Sequence, residues 1–480
     1  MSDFNNISPK NVFKYFQEIS AIPRGSGNMA KIADYCMAFA KKHALKAIKD
    51  NANNVIIYKN ATKGYENSEP VILQGHLDMV CQKTAESDID FLKEGLSLFV
   101  DGDFLKAKNT TLGADNGIAV AIVLSILESE DISHPAIEAV FTTDEETGMI
   151  GASRMDMSVL KSRKMLNLDS EELDTVTVSC AGGSEFNARL PFERKSVIGT
   201  KVDIILNGLK GGHSGICINE GRVNANTLAG RFLNYLNNTC DFDLISVNGG
   251  NKSNAIPLCC EIKLCCNNAL ALKSIAEEYL NKYKEEISFR EPDFHFEISV
   301  LGEETCECIE KEVANNVIYS LLCAPNSVIE MSAEIEGLVE TSLNLGILET
   351  GKNNVDLTFA LRSNKKTALK FLEEKLFTFF SKTGAKTDTS GYYPPWEFNA
   401  NSTLQTVYKE AYLEQFGCEP KVEAIHAGLE CGVFADVIEN FDCISIGPEI
   451  YDVHTVNERL SISSTEQFYK LVIKILEKCQ

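Results

Sequence analysis

Short apolar runs, each followed by an acid or a histidine, recur along the first part of the chain. Residues 71–73, 137–141 and 164–168 have the length and continuous apolar character of strands buried on both faces of a sheet. Residues 117–128 are nearly all apolar, which predicts a buried helix, and Ser8-Pro9 begins a stretch with helical spacing. Such alternation is typical of an α/β domain with a mostly parallel sheet flanked by helices.

The pattern changes between about residues 184 and 394. Residues 201–206 and 354–361 alternate apolar and polar positions as half-buried strands do, and helices are predicted over residues 224–237 and 269–283. This mixture is typical of an α+β domain, and we expect it to be separate from the first.

The α/β pattern returns after a linker predicted at residues 390–395. A helix is expected over residues 401–416, a strand over 442–446, and a capping box at 463–466 before a final helix. The predicted organisation is one α/β domain made of residues 1–185 and 395–480. An α+β domain, residues 186–394, is inserted between these two parts.

Composition narrows the function classes. The chain has 480 residues and a net charge of −22, so a nucleic acid or an anionic membrane would be repelled. It contains no run of 18 apolar residues, and its N-terminus shows no basic segment followed by an apolar one. We therefore expect a cytoplasmic protein without a membrane span.

The 16 cysteines include no Cys-x-x-Cys pair, and many lie in apolar surroundings. In a cytosolic chain they are expected to be reduced, buried thiols that pack as small hydrophobic groups. A thiolate zinc site is the alternative.

Histidines and acids follow the predicted strands at the ends where ligands gather in open α/β sheets. Imidazoles and carboxylates together suit a pair of divalent metals that activate water. The candidates are His76, Asp115, Glu145, Glu146, Asp169 and, far downstream, His454.

Each candidate also has an ordinary explanation. Asp115 precedes Asn-Gly and would serve as a turn or N-cap residue. Asp169 would head a charged surface loop, and His454 would be a surface histidine. Asp78, two residues after His76, would either orient that imidazole or be only a polar strand end.

Glu145 and Glu146 are neighbours, and neighbouring strand residues point to opposite faces. A turn after the strand would aim both inward, so that one binds metal while the other acts as a general base. The alternative is a solvated acidic loop.

Several segments, taken in order, resemble the motifs of the M20 metallopeptidases, and among these the aminoacyl-histidine dipeptidase (peptidase D) branch. They are residues 75–80 (GHLDMV), 111–118 (TLGADNGI), 143–148 (TDEETG), 167–171 (NLDSE), 211–215 (GGHSG), 254–257 (NAIP), 424–432 (AIHAGLECG) and 445–448 (SIGP).

The resemblance implies roles for the candidate residues. His76, Asp115 and Asp169 would hold one metal, and Asp115, Glu146 and His454 the other, with Asp115 shared. Glu145 would be the general base, and Asp78 would orient His76. The metals would be two zinc ions per chain, for which cobalt or manganese substitutes.

The resemblance also gives the inserted segment a role as a lid and dimerisation domain, and hence predicts a homodimer. His213 would approach the substrate carbonyl oxygen from this domain. Asn254, Arg362, His426 and Glu430 are candidates for binding the substrate, with Arg362 suited to a carboxylate. The alternative for Arg362 is a surface arginine with local partners, and the alternative for His213 is a residue of a simple turn. Leu258-Cys-Cys260 and Thr455-Val456 depart from the family pattern near the substrate pocket.

The expected function is a dinuclear-metal dipeptidase of small peptides, including those with C-terminal histidine. Glu145 would take a proton from the activated water that attacks the peptide bond. An amidase or deacylase of N-acyl amino acids is the rival within hydrolases, and a non-catalytic binding protein with this fold is the rival outside them.

Overall fold

The computed structural model describes residues 7–480, which divide into two compact units. The first contains the described residues up to Ser179, then Phe398–Ala424 and Leu429–Gln480. The second contains Cys180–Glu397 and Ile425–Gly428.

The helices of the described chain are α1 (Lys10–Ser20), α2 (Ala30–Lys42), α3 (Ala114–Glu128), α4 (Ile150–Arg154), α5 (Ala225–Thr239), α6 (Ala269–Ile287), α7 (Lys311–Cys323), α8 (Lys366–Phe380), α9 (Thr403–Phe416), α10 (Glu430–Val437) and α11 (Ile462–Lys478).

The strands are β1 (Lys46–Lys49), β2 (Val55–Lys59), β3 (Val71–His76), β4 (Leu98–Asp101), β5 (Phe104–Ala107), β6 (Ile137–Thr142), β7 (Lys164–Asn167), β8 (Thr175–Cys180), β9 (Gly182–Pro191), β10 (Arg194–Asn207), β11 (Gly212–His213), β12 (Asp243–Gly249), β13 (Ala255–Ile256), β14 (Cys260–Cys266), β15 (His295–Ile309), β16 (Ser327–Met331), β17 (Val339–Thr350), β18 (Asn354–Ser363), β19 (Lys386–Tyr393), β20 (Lys421–Ile425), β21 (Asp442–Ser445), β22 (Ile450–Tyr451) and β23 (Arg459–Ser461).

The first unit is built on an eight-stranded sheet with the order β1-β2-β6-β3-β7-β21-β8-β20. The four central strands, β6, β3, β7 and β21, run parallel, and antiparallel strands lie on both sides of them. The α/β class predicted from the apolar runs is confirmed, and the sheet as a whole is mixed.

Helix α3 packs closely on the central strand β3. All six residues of β3 are buried, and so is nearly the whole of α3, as its continuous apolar sequence predicts. A Cβ atom added at Gly75 in β3 would lie 2.5 Å from the Asn116 side chain and 2.8 Å from Ala119 Cβ. Glycine at this position therefore allows the helix to approach the strand.

A smaller sheet in the same unit has the order β22-β23-β5-β4. The hairpin between β22 and β23 contains His454 and Glu458. Both residues bear on the candidate site.

The second unit contains a nine-stranded sheet whose strand pairs are all antiparallel. The rings of Phe186 in β9, Phe359 in β18 and Phe380 in α8 meet in its core, with centroids 5.7 to 6.4 Å apart. The strands predicted at residues 201–206 and 354–361 lie within β10 and β18.

Two local predictions are wrong. Most of the predicted linker at residues 390–395 belongs to β19, which pairs with β9 through residue 393. The final helix is capped by Ser461 rather than by the predicted box at residues 463–466, because Ser461 Oγ accepts the Ser464 N–H at 3.2 Å.

All sixteen cysteines lie in the described chain, where none of them forms a disulfide, and ten of them are buried. Among the described residues, no helix is both long enough and apolar enough to cross a membrane.

Candidate metal centre

Three neighbouring parallel strands bring His76, the Glu145–Glu146 pair and Asp169 to one edge of the sheet. In the register of β3, His76 stands opposite Thr142 of β6, and Gln74 stands opposite Asn167 of β7. The strands therefore end at nearly the same level, and the segments that follow them meet there.

His76, the last residue of β3, is buried and has both ring nitrogens occupied. Its Nε2 atom lies 3.1 Å from Asp115 Oδ1 and 3.4 Å from Asp169 Oδ1. Its Nδ1 atom faces Asp78, at 3.2 Å from the main-chain oxygen and 3.4 Å from Oδ1. An imidazole held in this way presents Nε2 to the acids.

Asp115 directs one carboxylate oxygen at each histidine. Oδ1 lies 3.1 Å from His76 Nε2, and Oδ2 lies 2.9 Å from His454 Nε2. Asp115 stands in the first turn of α3, where its ψ of 107° departs from helical geometry. The N-cap alternative does not describe its side chain, which faces two imidazoles far apart in sequence.

His454 completes the cluster from the β22–β23 hairpin. Its Nε2 atom lies 3.1 Å from the Glu146 carboxylate as well as 2.9 Å from Asp115. The side chain is 48% exposed, and the backbone has a φ of 62°, in the left-handed region that residues other than glycine seldom adopt. Such strained backbone is commonly found at functional sites.

The turn after β6 is organised by Asp78. The N–H groups of Glu145 and Glu146 donate to Asp78 Oδ1 and Oδ2 at 3.1 and 3.3 Å, and the Ser26 hydroxyl donates to Oδ2 at 2.8 Å. Both glutamates thus follow the end of the strand in a turn, and the alternation of strand faces no longer separates them.

The site concentrates negative charge away from solvent. Burial raises the pKa of Glu145 well above its ordinary value, and burial also raises the pKa of Asp169 to about 6. Hydrogen bonds to Asp115 and Glu146 raise the pKa of His454 to about 11. Although burial opposes it, hydrogen bonds from the two histidines hold the pKa of Asp115 below its usual range. The clustered carboxylates therefore favour the binding of a positively charged group between them.

This donor set fits divalent cations. His76, Asp115 and Glu146 each offer a ligand atom within 4.8 Å of the others. Imidazole nitrogen with carboxylate oxygen suits zinc, and manganese or cobalt also accept such ligands. The thiolate alternative does not describe this group, which contains no cysteine.

His213 belongs to the second unit and is a hydrogen-bond donor through Nε2. Its Nδ1 atom accepts the N–H groups of Gly215 and Ile216, each at 3.2 Å, which leaves the ring proton on Nε2. Burial, with Arg362 nearby, lowers the pKa of His213 and so favours the neutral ring. With Asn254, His213 lines a cavity of about 700 Å³ in that unit.

Arg362, also in the second unit, is 8% exposed and donates through Nη1 to the Tyr393 hydroxyl at 2.9 Å. Its buried Nε has no hydrogen-bond partner among the residues the structure describes. The guanidinium retains donors that could serve an anionic group.

Two expected substrate residues are otherwise engaged. His426 has both ring nitrogens in hydrogen bonds, to Ser342 at 2.7 Å and to Asn364 at 3.2 Å. Glu430 lies in the first unit, is fully buried, and accepts hydrogen bonds from Gln74 at 2.5 Å and Thr142 at 2.6 Å. Both Glu430 hydrogen bonds use Oε2, and its buried Oε1 has no hydrogen-bond partner among the described residues.

Two buried charged residues that no sequence motif indicates, Arg24 and Glu458, contact the loops of the site. Glu458 lies four residues after His454, and this proximity in sequence is the one signal that would have linked Glu458 to the site. Isolated charges without a motif do not reveal that they will be buried.

Comparison with known proteins gives consistent results. The sequence profile of peptidase family M20/M25/M40 matches residues 72–478. The cytosol non-specific dipeptidase of Escherichia coli K12 is 36% identical over 482 aligned residues, covering 100% of this chain and 99% of that protein.

Solved structures agree with the sequence match. The crystal structure of aminoacylhistidine dipeptidase from Vibrio alginolyticus superposes with a TM-score of 0.93 at 35% identity, covering 99% of this chain and 98% of that one. The aminopeptidase PepT of Bacillus cereus shares the fold, with a TM-score of 0.56 at 15% identity and coverage of 98% and 99%. This chain belongs to the peptidase family M20/M25/M40.

Proposed function

We propose that this protein is a metal-dependent dipeptidase. The observation that carries the proposal is the geometry of Asp115, whose two carboxylate oxygens face His76 and His454 at 3.1 and 2.9 Å. A carboxylate presented in this way suits a bridge between two cations. The names of the Escherichia coli and Vibrio alginolyticus relatives support a dipeptide substrate.

We assign His76, Asp115 and Asp169 to one metal, and Asp115, Glu146 and His454 to the other. Zinc is the proposed metal, with cobalt or manganese as substitutes, because the donors are imidazole and carboxylate. When bound, the two ions would supply Lewis acidity that lowers the pKa of water toward ~7 and polarises the peptide carbonyl.

The chain's own residues would move the proton. Glu145 would accept it from the attacking water and pass it to the leaving amine, a role suited to a carboxylate whose pKa burial raises. Asp78 would hold His76 in orientation and shape the turn that carries Glu145. His213 would donate its Nε2–H to the developing oxyanion, a contact typically worth ~10²–10³ in rate.

Arg362 is proposed to bind the substrate carboxylate through its remaining guanidinium donors, and Asn254 is proposed to contact the substrate near His213. Dipeptides with C-terminal histidine are included among the substrates. His426 and Glu430 stay candidates for binding the substrate termini. Both ring nitrogens of His426 are in hydrogen bonds, whereas the buried Oε1 of Glu430 has no hydrogen-bond partner among the described residues.

We retain the proposal that residues 186–394 form a lid and dimerisation domain and that the protein is a cytosolic homodimer. Light scattering coupled to size exclusion would test it. The expected mass is twice the chain mass of 52.9 kDa, and a mass of one chain would contradict it.

A substrate panel tests the proposed function. Purified protein with added zinc or manganese is offered dipeptides, including Xaa-His, and N-acyl amino acids of matched side chain. Hydrolysis of the free dipeptides supports the proposal. Preference for N-acyl amino acids would instead make the protein an amidase or deacylase.

A further inference from the structure

A buried cation, Arg24, and a buried anion, Glu458, contact the backbone of the segments that carry His76 and Asp115. Arg24 is 2% exposed and Glu458 is 3% exposed. Burying such charged groups is unfavourable unless hydrogen bonds compensate for the lost water. Their partners are all main-chain groups of the ligand-bearing loops.

Glu458 binds four consecutive N–H groups at the start of α3. Its carboxylate accepts the N–H groups of residues 112–115 at 2.7, 2.9, 2.8 and 3.4 Å. The last of these belongs to Asp115. Because Glu458 lies in the same hairpin as His454, its carboxylate connects the His454 loop to the Asp115 backbone.

Arg24 connects the same segment to the end of β3. Its Nη1 donates to the carbonyl oxygens of Leu77 and Asp78, each at 3.0 Å, and its Nη2 donates to the Gly113 carbonyl. A Cβ atom at Gly113 would lie 2.6 Å from Nη2, and one at Gly117 would lie 2.5 Å from it. The two glycines therefore leave room for the guanidinium.

We propose that Glu458 and Arg24 are positioning residues that set the Asp115 carboxylate between His76 and His454. A ligand set binds its metal well only when its atoms are held within about 0.5 Å of the productive geometry. The direction of the short Asp115 side chain follows its backbone, and that backbone leaves helical geometry at this residue. The inference rests on the proposed function, because it concerns affinity for the metals.

Glu138 provides a matched control. It is also 3% exposed and also accepts main-chain N–H groups, from Lys161 at 3.0 Å and Ser162 at 3.1 Å. It stands near the first residue of β6, whereas the candidate ligands lie at the opposite end of the parallel strands, beside His76, the last residue of β3. Glu138→Gln therefore disturbs a buried carboxylate of the same kind away from the site.

The test measures zinc affinity by competition with a chromophoric chelator and the visible absorption of the cobalt-loaded protein. Glu458→Gln should bind zinc ~10–100-fold more weakly and show an altered cobalt spectrum. Glu138→Gln should lose comparable stability yet bind zinc as the wild type does. Arg24→Lys, which keeps the charge but loses the fork of donors, should weaken zinc binding in the same direction.

Wild-type zinc affinity in Glu458→Gln would overturn the inference and leave only a structural role. Should that variant not fold, Glu458→Asp, which keeps the charge, replaces it. Wild-type zinc affinity in Glu458→Asp would likewise overturn the inference. A wild-type protein that binds zinc but hydrolyses no dipeptide would contradict the proposed function while leaving the inference standing. Failure of the wild type to bind zinc would overturn both.

Discussion

At the scale of single residues, Asp78 makes contacts that its sequence position, two residues after His76, does not predict. One carboxylate faces the imidazole of His76, accepts a hydroxyl hydrogen bond from Ser26 and accepts the N–H groups of Glu145 and Glu146. The orientation of the first histidine and the turn of the two glutamates are therefore coupled through one side chain.

The amide substitution Glu145→Gln should retain metal and lose most turnover, since a carboxamide cannot accept the proton. A general base contributes typically 10²–10⁴ in rate, so kcat should fall by about that factor. Steady-state kinetics with a dipeptide measure kcat, and metal analysis of the same sample measures the bound metal. Glu172→Gln, in an exposed position of the neighbouring acidic loop, is the control and should leave kcat unchanged. Native turnover in Glu145→Gln would refute the assignment.

His426 should make folding stability fall in mild acid. Burial lowers its pKa to about 3, whereas an unfolded histidine titrates near 6.5. Between these values the unfolded chain binds the extra proton, so stability is lost as the pH falls, by up to about 1.4 kcal/mol per pH unit.

Urea unfolding at pH 7, 6 and 5 measures this effect. His426→Gln should show a shallower loss of stability with falling pH than the wild type does. His295→Gln, at an exposed position of the same unit, is the control. Equal pH dependence in the wild type and His426→Gln would contradict the linkage.

At the scale of elements, the contact between β3 and α3 positions two ligands at once. His76 ends the strand and Asp115 lies in the first turn of the helix, while Gly75 lets the two backbones approach. The Asn116 side chain accepts the His76 N–H at 3.2 Å and donates to the Leu168 carbonyl at 2.8 Å. Packing of these elements thus also fixes the segment before Asp169.

Gly75→Ala should therefore lower stability and weaken metal binding. The added Cβ would overlap Asn116 and Ala119, and such overpacking costs typically ~1–3 kcal/mol. Thermal unfolding and zinc titration measure the two effects. Gly302→Ala is the control because its Cβ would meet nothing within 4 Å, so its stability should stay within about 0.5 kcal/mol. A stable Gly75→Ala protein with unchanged zinc affinity would contradict the packing argument.

At the scale of the whole molecule, a chain with a net charge of −22 also gathers carboxylates inside its first unit. Bound cations would relieve their repulsion. A ligand that binds only the folded state stabilises it by RT ln(1 + [L]/Kd), which is ~2.7 kcal/mol at a hundredfold excess over Kd.

Exhaustive chelation should abolish dipeptide hydrolysis and lower the thermal unfolding midpoint, and added zinc, cobalt or manganese should restore both. Chelator already saturated with zinc is the control and should change neither. Full activity after chelation, with metal analysis confirming removal, would exclude a metallopeptidase.

The sequence by itself determined the α/β class, the strands at residues 71–73, 137–141 and 164–168, and the identity of the acids and histidines that follow them. These features are local, because apolar periodicity and strand-end polarity are written in neighbouring residues. It failed at residues 390–395, where turn-forming residues lie in a strand, because pairing with β9 outweighs local preference.

Only the tertiary structure decided which atoms face each other. The parallel register of β6, β3 and β7 brings their ends to one edge, and a hairpin from the far end of the chain adds His454. Asp78 accepts the N–H group of Glu145, which is distant in sequence. Arg24 and Glu458 also bind main-chain groups distant in sequence, near His76 and Asp115. Such contacts have no period or motif, since burial and hydrogen-bond satisfaction arise only when the elements pack.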